Sequence, residues 1–249
     1  TDSRYGEQAP KETAGTGIDV CIGDRKKHQE VIEDLLSETR SLAVESDRIT
    51  WGEAEALRAS VAAELVPAKD LLADLRKVKE PEEVVRLQAA ATIADQALAV
   101  VRADLASEPT EKEFARALDR TMLELGAEAL SFDTICASGP NAALPHARPS
   151  DRTIRSGDLV ILDFGAVIDG YHSDMTRTFA IGDVDQDLWD IIQAVTDAQN
   201  SGCDKVEPGV RASDIDDACR SHLANHNLSQ YFVHGTGHGV GLEIHEGPW

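Results

Sequence analysis

The sequence predicts an α+β fold, and three stretches carry that prediction. Residues 84–126 repeat apolar side chains at three- and four-residue steps, the period of amphipathic helices. Residues 158–182 open with the apolar run Leu159–Leu162 and pass through Asp169-Gly170, a dipeptide suited to a two-residue hairpin turn. Residues 232–249 set Gly235, Gly237, Gly239 and Gly241 among histidines, which disfavours helix and favours extended chain.

The first 78 residues read as a small α/β unit. Asp19–Ile22 is a short strand, residues 27–40 a helix with Val31, Leu35 and Leu36 at helical spacing, and Leu42–Val44 a return to the sheet. Thr50 and Glu53 form a capping box opening a helix to about Glu64, and Pro67 ends the passage. The charged segment 77–83 contains Pro81, which suits the first turn of a helix. It divides the chain into domains 1–78 and 79–249.

In the second part, Val84, Leu87, Ala91, Ala94, Leu98, Val101 and Leu105 make one apolar helix face, read as core. Pro109 stops that helix. Thr110 and Glu113 form a second capping box, and the next helix turns Phe114, Leu118 and Leu125 inward as far as Gly126. Residues 131–154 begin as a strand and become a Gly/Pro/Asn loop that carries His146. Residues 184–198 read as a helix with Leu188, Ile191, Ile192 and Val195 on one face. Ser213 caps a further helix, where His222 and His226 stand four apart. No carboxylate motif accompanies that pair, so it reads as structural.

The hairpin is where chemistry enters. With Asp169 and Gly170 as the loop, Ile168 faces Tyr171 and Gly165 faces Asp174. Asp163 lies two residues from Gly165 and shares its face. Asp163 and Asp174 are then diagonal cross-strand neighbours, roughly 5–8 Å apart at Cβ. Two carboxylates on one face repel unless something positive lies between them. Two divalent cations about 3.5–4 Å apart would suit the site; the alternative is that Asp163 caps a turn or pairs with a base such as Arg177. In extended chain His234 and His238 fall on one face, and His245-Glu246 follows. Neutral imidazole is a good ligand for Mn, Co or Zn, and a neighbouring one can donate to a reacting carbonyl.

Composition narrows the field. Hydrophobic residues make up 42% of the chain, enough for a sizeable core, and no run approaches the roughly 18 apolar residues of a membrane span. The net charge of −21 argues against non-specific nucleic-acid binding, which needs a basic face. Cys21, Cys136, Cys203 and Cys219 show no zinc-knuckle or CxxC spacing and read as free thiols in a reducing compartment, which suits the cytoplasm. No signal peptide is visible and the first residue is Thr, so the chain is expected to be part of a longer reading frame.

The stretches SGPNAALPHARPSD, GDLVILDFGAVIDGYHSDMTRTFAIG and HGTGHGVGLEIHE, in this order and spacing, resemble the pita-bread-fold metallopeptidases. Within them the chain is similar to the Xaa-Pro group, aminopeptidase P and prolidase. The resemblance covers residues 80–249 strongly, and residues 1–78 as the tail of a creatinase-type N-terminal domain, where DSRYGEQA is the telling phrase. It implies a pita-bread catalytic domain and hydrolysis of the Xaa-Pro bond in short peptides by a metal-bridging hydroxide on two divalent ions, Mn foremost, with Co or Zn as alternatives. Asp163 then resembles a ligand of one metal, Asp174 the bridge between the two, and His238 a ligand of the second. His245 resembles the donor to the scissile carbonyl, His234 the histidine lining the proline pocket, and His146 a substrate-contacting histidine. The expected partners are peptides with proline at the second position and, since relatives commonly dimerise, a second copy; neither nucleic acid nor membrane is expected. Two further glutamate ligands belong to the family pattern beyond the HE motif, in strands past Trp249. Glu243 and Glu246 flank His245 but belong to the earlier motif. The second domain is accordingly expected to lack its C-terminal strands, and the chain as it stands to be weakly active. The alternatives are a non-catalytic pita-bread binding module and another C–N hydrolase on the same fold.

Overall fold

The computed structural model describes residues 1–69 and 71–249, which fold as two compact units, Thr1–Leu72 and Ala73–Trp249. In the first, a 3₁₀ turn (Ser3–Tyr5) and α1 (Gln8–Glu12) precede α2 (Arg25–Leu35), β1 (Ser41–Glu45), α3 (Trp51–Ser60) and β2 (Glu64–Ala68). β1 and β2 pair in parallel, with Leu42 opposite Leu65 and Val44 opposite Pro67. The Thr50 capping box forms: Thr50 Oγ1 accepts from Glu53 N at 3.3 Å, and the Glu53 carboxylate accepts from Thr50 N at 2.9 Å.

The structure departs from the sequence expectation here in several places, among them α2, which ends at Leu35 rather than near residue 40. Asp19–Ile22 is not a strand. Its neighbourhood is tied by isolated bonds, Gly23 N donating to Thr1 O and the Thr1 ammonium to Cys21 O, too few for a ladder. The helix after Thr50 ends at Ser60, and Pro67 lies inside β2 rather than ending the passage. Among the described residues β2 pairs only with β1, and a strand with an open edge tolerates proline's missing N–H.

The second unit runs α4 (Ala73–Lys77), α5 (Pro81–Val101) continued by a 3₁₀ turn to Ser107, α6 (Glu111–Glu124), β3 (Ala129–Leu130), β4 (Ile135–Ser138), β5 (Leu159–Phe164), β6 (Ala166–Ile168), β7 (Tyr171–His172), β8 (Met175–Ala180), α7 (Gln186–Cys203) and α8 (Ala212–Asn225). β5 lies between β4 and β8 in one antiparallel sheet, and β6 lies between β3 and β7 in another. Leu98 and Val101 of α5, Phe114, Leu118 and Met122 of α6, and Val160, Leu162 and Phe164 of β5 form the core. Pro81–Ser107 is long and apolar enough to cross a bilayer by length and composition alone. Its inner face, from Ala90 through Ala97 to Leu105, is buried within this unit, so we read it as a core helix.

Side-chain placement differs from expectation at the ends of elements. Val84 is exposed, in the first turn of α5, and Leu125 is exposed at the C-cap of α6. On α7, Ile191 and Val195 are exposed and the buried face is Ala194, Ala198 and Gly202. Small residues let α7 and α8 approach closely, and that contact outranks the larger apolar side chains. Ser213 lies inside α8, whose N-cap is Arg211.

The hairpin has the expected register. Asp169 and Gly170 take φ of 47° and 77°, the left-handed pair of a type I′ turn. Ile168 faces Tyr171, and the same register continues to Asp163 opposite Thr176. At Gly165, between β5 and β6, a Cβ would stand 1.9 Å from the Ser173 carbonyl oxygen, so the backbones approach too closely for any side chain. Gly165→Ala is expected to cost about 2–3 kcal/mol by forcing the strands apart, lowering the calorimetric midpoint by roughly 5–10 °C.

Candidate metal centre

β5 alternates between a buried face (Val160, Leu162, Phe164) and a half-buried one (Leu159, Ile161, Asp163). The alternation aims Asp163 away from the core, onto the surface it shares with Thr176, its opposite residue on β8, and with Asp174, which lies just before β8 begins. Thr176 Oγ1 donates to Asp163 Oδ1 at 3.1 Å. Arg177, the alternative partner, stands opposite Leu162 and pairs with Asp95 at 3.5 Å. Burial first, and then the negative charge of Asp174, push the Asp163 carboxyl above the usual range, while Thr176 and the imidazoles of His238 and His146 pull it back.

His238 reaches this face from the glycine-rich segment. Its Nδ1 is 3.0 Å from Gly239 O, which can only accept, so the proton sits on Nδ1. Its Nε2 faces Asp174 Oδ2 at 3.3 Å. The His245 ring meets the His238 ring edge-on, centroids 4.2 Å apart. The structure therefore brings Asp163, Asp174, His238 and His245 into one neighbourhood, with His146 near enough to act on Asp163. His234 makes its contacts elsewhere in the segment, with Phe232 edge-on at 4.8 Å and with its neighbour's carbonyl, Nδ1 to Gly235 O 2.7 Å.

The donors suit a divalent cation in kind: two carboxylates and an imidazole nitrogen turned toward one of them. The 3.3 Å between His238 Nε2 and Asp174 Oδ2 is close to the spacing of adjacent ligand atoms around an ion held at about 2.0–2.2 Å. Yet among the described residues no group of three or more His, Cys, Asp or Glu is gathered closely enough to hold an ion. Asp174 and His238 form the assembled pair, and Asp163 stands beside it.

The glycine-rich segment is irregular rather than a continuous strand. It docks through Gly241 O, which accepts from His172 N at 2.9 Å, and closes on itself where Glu246 N donates to Gly239 O at 3.0 Å. Glu246 is buried, and its carboxylate pairs with both Arg76 and Lys79. Burial pushes the Glu246 carboxyl up, but the two cations outweigh it and hold it below the ordinary range. A Cβ at Gly241 would stand 2.3 Å from Glu246 Oε1, so glycine there makes room for this clamp beside His245.

The loop that carries His146 is pinned at both ends by Glu111, fully buried at the start of α6. Its Oε1 accepts from Ser138 N and Oγ at 2.7 Å each, and its Oε2 from Ser150 N at 2.9 Å and Oγ at 2.6 Å. These supports were missed in the sequence: Glu111 looks like any acid in a helix's first turn, and Arg76 and Lys79 lie some 170 residues from Glu246. His222 and His226 stack with centroids 5.2 Å apart on α8. All four cysteines are free thiols.

Comparison with known proteins supplies the family. Residues 85–249 match the model of metallopeptidase family M24, and residues 1–78 that of the creatinase/prolidase N-terminal domain. The peptidase YqhT of Bacillus subtilis is 39% identical over 250 residues, covering 100% of this chain and 70% of its own. The Xaa-Pro dipeptidase of Pyrococcus furiosus is 36% identical over 224 residues, covering 90% of this chain and 64% of its own. The solved structure of an Xaa-Pro dipeptidase from Bacillus anthracis superposes with a TM-score of 0.94 at 36% identity, over 100% of this chain and 70% of that one. This chain thus spans 64–70% of the length of these relatives.

Proposed function

The chain belongs to metallopeptidase family M24, with the pita-bread α+β fold, and from that premise we propose that it hydrolyses the peptide bond before proline in short peptides. The observation that carries the proposal is the face on which the hairpin aligns Asp163 with Asp174 and the glycine-rich segment sets His238 Nε2 at 3.3 Å from Asp174. We take residues 79–249 as the catalytic domain and residues 1–78 as the N-terminal one, in keeping with the family matches over 85–249 and 1–78.

In this reading Asp163 would serve one of two divalent ions, manganese first among them, His238 would serve the other, and Asp174 would serve both. When bound, such ions supply Lewis acidity and a water that ionises near neutral pH. The chain's own residues do the rest. His245, edge-on to His238, donates a hydrogen bond to the scissile carbonyl oxygen. His234 lines the pocket for the proline ring, and His146 contacts the peptide from its loop. The protein acts as a cytoplasmic homodimer.

The test pairs calorimetric titration of the chain with Mn²⁺ against assays on an Ala-Pro and an Ala-Ala dipeptide. The expected result is metal binding, with proline released from Ala-Pro only when metal is supplied and no comparable cleavage of Ala-Ala. A chain that binds no Mn²⁺, Co²⁺ or Zn²⁺ is not a metallopeptidase in this form. One that binds metal but cleaves neither peptide is a binding module on this fold.

A further inference from the structure

We propose that Asp216 and Arg220 on α8 are positioning residues for His234: together they fix the backbone of residues 232–236 and so set where that imidazole stands. The inference rests on the reading of His234 given above. It starts from what the segment lacks. Among the described residues, no backbone–backbone hydrogen bond involves residues 233–238, whereas the stretch from Gly239 to Pro248 is tied by several. Gly235 and Gly237 have nothing within 4 Å of where a Cβ would stand, so local packing does not hold the chain there either.

What does hold it comes from one turn of α8. Arg220 Nε pairs with Asp216 Oδ2 at 2.6 Å, an i,i+4 ion pair that orients the guanidinium. The fork then bridges two carbonyls of the segment: Nη1 donates to Phe232 O at 2.8 Å, and Nη2 to His234 O. The guanidinium also lies over the Phe232 ring, 4.5 Å from its centroid, and that ring meets His234 edge-on. Asp216 Oδ1 takes the other side of His234, accepting from Thr236 N at 3.0 Å and Thr236 Oγ1 at 2.7 Å. Carbonyls before the glycines and an amide between them are therefore held by one charged pair. Only a planar fork spans both carbonyls and stacks on Phe232, so lysine cannot replace it.

The experiment compares wild type with Arg220→Lys and Arg220→Met, all supplied with saturating Mn²⁺. It reads thermal midpoint, amide hydrogen exchange across residues 233–238, and kcat and KM on Ala-Pro. Arg220→Lys is expected to melt near wild type, to exchange the Thr236 amide about tenfold faster and to raise KM about tenfold, the scale of one lost charge-assisted hydrogen bond, with kcat changed much less. Arg220→Met is expected to show the same pattern more strongly. Unchanged exchange in the lysine variant overturns the clamp. Faster exchange with an unchanged KM, or a fall in kcat alone, overturns its role in placing His234. If wild type hydrolyses nothing, the peptidase reading fails by itself. Exchange then decides the clamp, with the His234 imidazole resonance, unshifted in both variants, as the result that sinks its positioning role.

Discussion

Asp163→Asn is expected to make the metal-free protein more heat-stable while abolishing its response to divalent cations. The two effects have one cause. In the fold the Asp163 carboxyl is pushed above its ordinary value, first by burial and then by the charge of Asp174. A carboxyl whose folded pKa is raised stabilises the fold while protonated, below its unfolded pKa, and that stability is lost as pH rises through the folded pKa. At neutral pH the ionised group is therefore a cost, and neutral asparagine removes it. The same substitution removes an anionic oxygen that a hard cation needs. Replacing a direct ligand should weaken metal binding more than the 10–100-fold typical of its supporting residues, so a loss beyond about 100-fold is expected. Scanning calorimetry at pH 7 checks both halves. Excess Mn²⁺ should raise the wild-type midpoint by mass action and leave the asparagine variant flat, and with chelator present the variant should melt higher. A variant that melts lower under chelator, or still responds to Mn²⁺, would mean that Asp163 and Asp174 do not share a cation site.

The face on which this argument depends was readable because it follows from local rules. Asp169-Gly170 dictates a two-residue turn, the turn dictates the register, and the register puts Asp163 and Asp174 on one surface before any long-range contact is considered. The capping boxes at Thr50 and Thr110 were readable for the same reason. What escaped was decided by tertiary packing. Pro67 reads as a terminator until β1 is there to pair with it, and α7 shows a plausible large-residue face until α8 selects the small one. The supports of the site were least legible. Asp216 and Arg220 drew no reading from the sequence, and Glu246 read as an acid flanking a histidine, because their partners lie in other elements. The sequence thus displays the groups that face the ligand side more openly than the groups that hold them there.

Glu111 is the extreme case of such a support, and its replacement is expected to have the largest effect on stability. Burial alone would push its carboxyl up, but the hydrogen bonds from Ser150 and Ser138 outweigh it and leave it below the ordinary glutamate range. Since the folded pKa is depressed, its contribution is present above the unfolded pKa, about 4.3, and is lost as pH falls through the folded value. Glu111→Ala strands the donors of Ser138 and Ser150 in the interior, at about 1–3 kcal/mol for each unsatisfied backbone donor, or roughly 10 °C in the midpoint. Glu111→Gln should fare little better. Ser138 N faces one carboxylate oxygen and Ser150 N the other, so either orientation of the amide sets an NH₂ against a backbone N–H that cannot turn away. Both variants should also flatten the acid limb of the stability–pH curve and speed amide exchange through residues 139–150, the loop carrying His146. Glu124→Gln, exposed at the far end of α6, is the control and should melt near wild type. A glutamine variant at 111 that keeps the wild-type midpoint would show that the paired serine donors, rather than the charge between them, hold the loop.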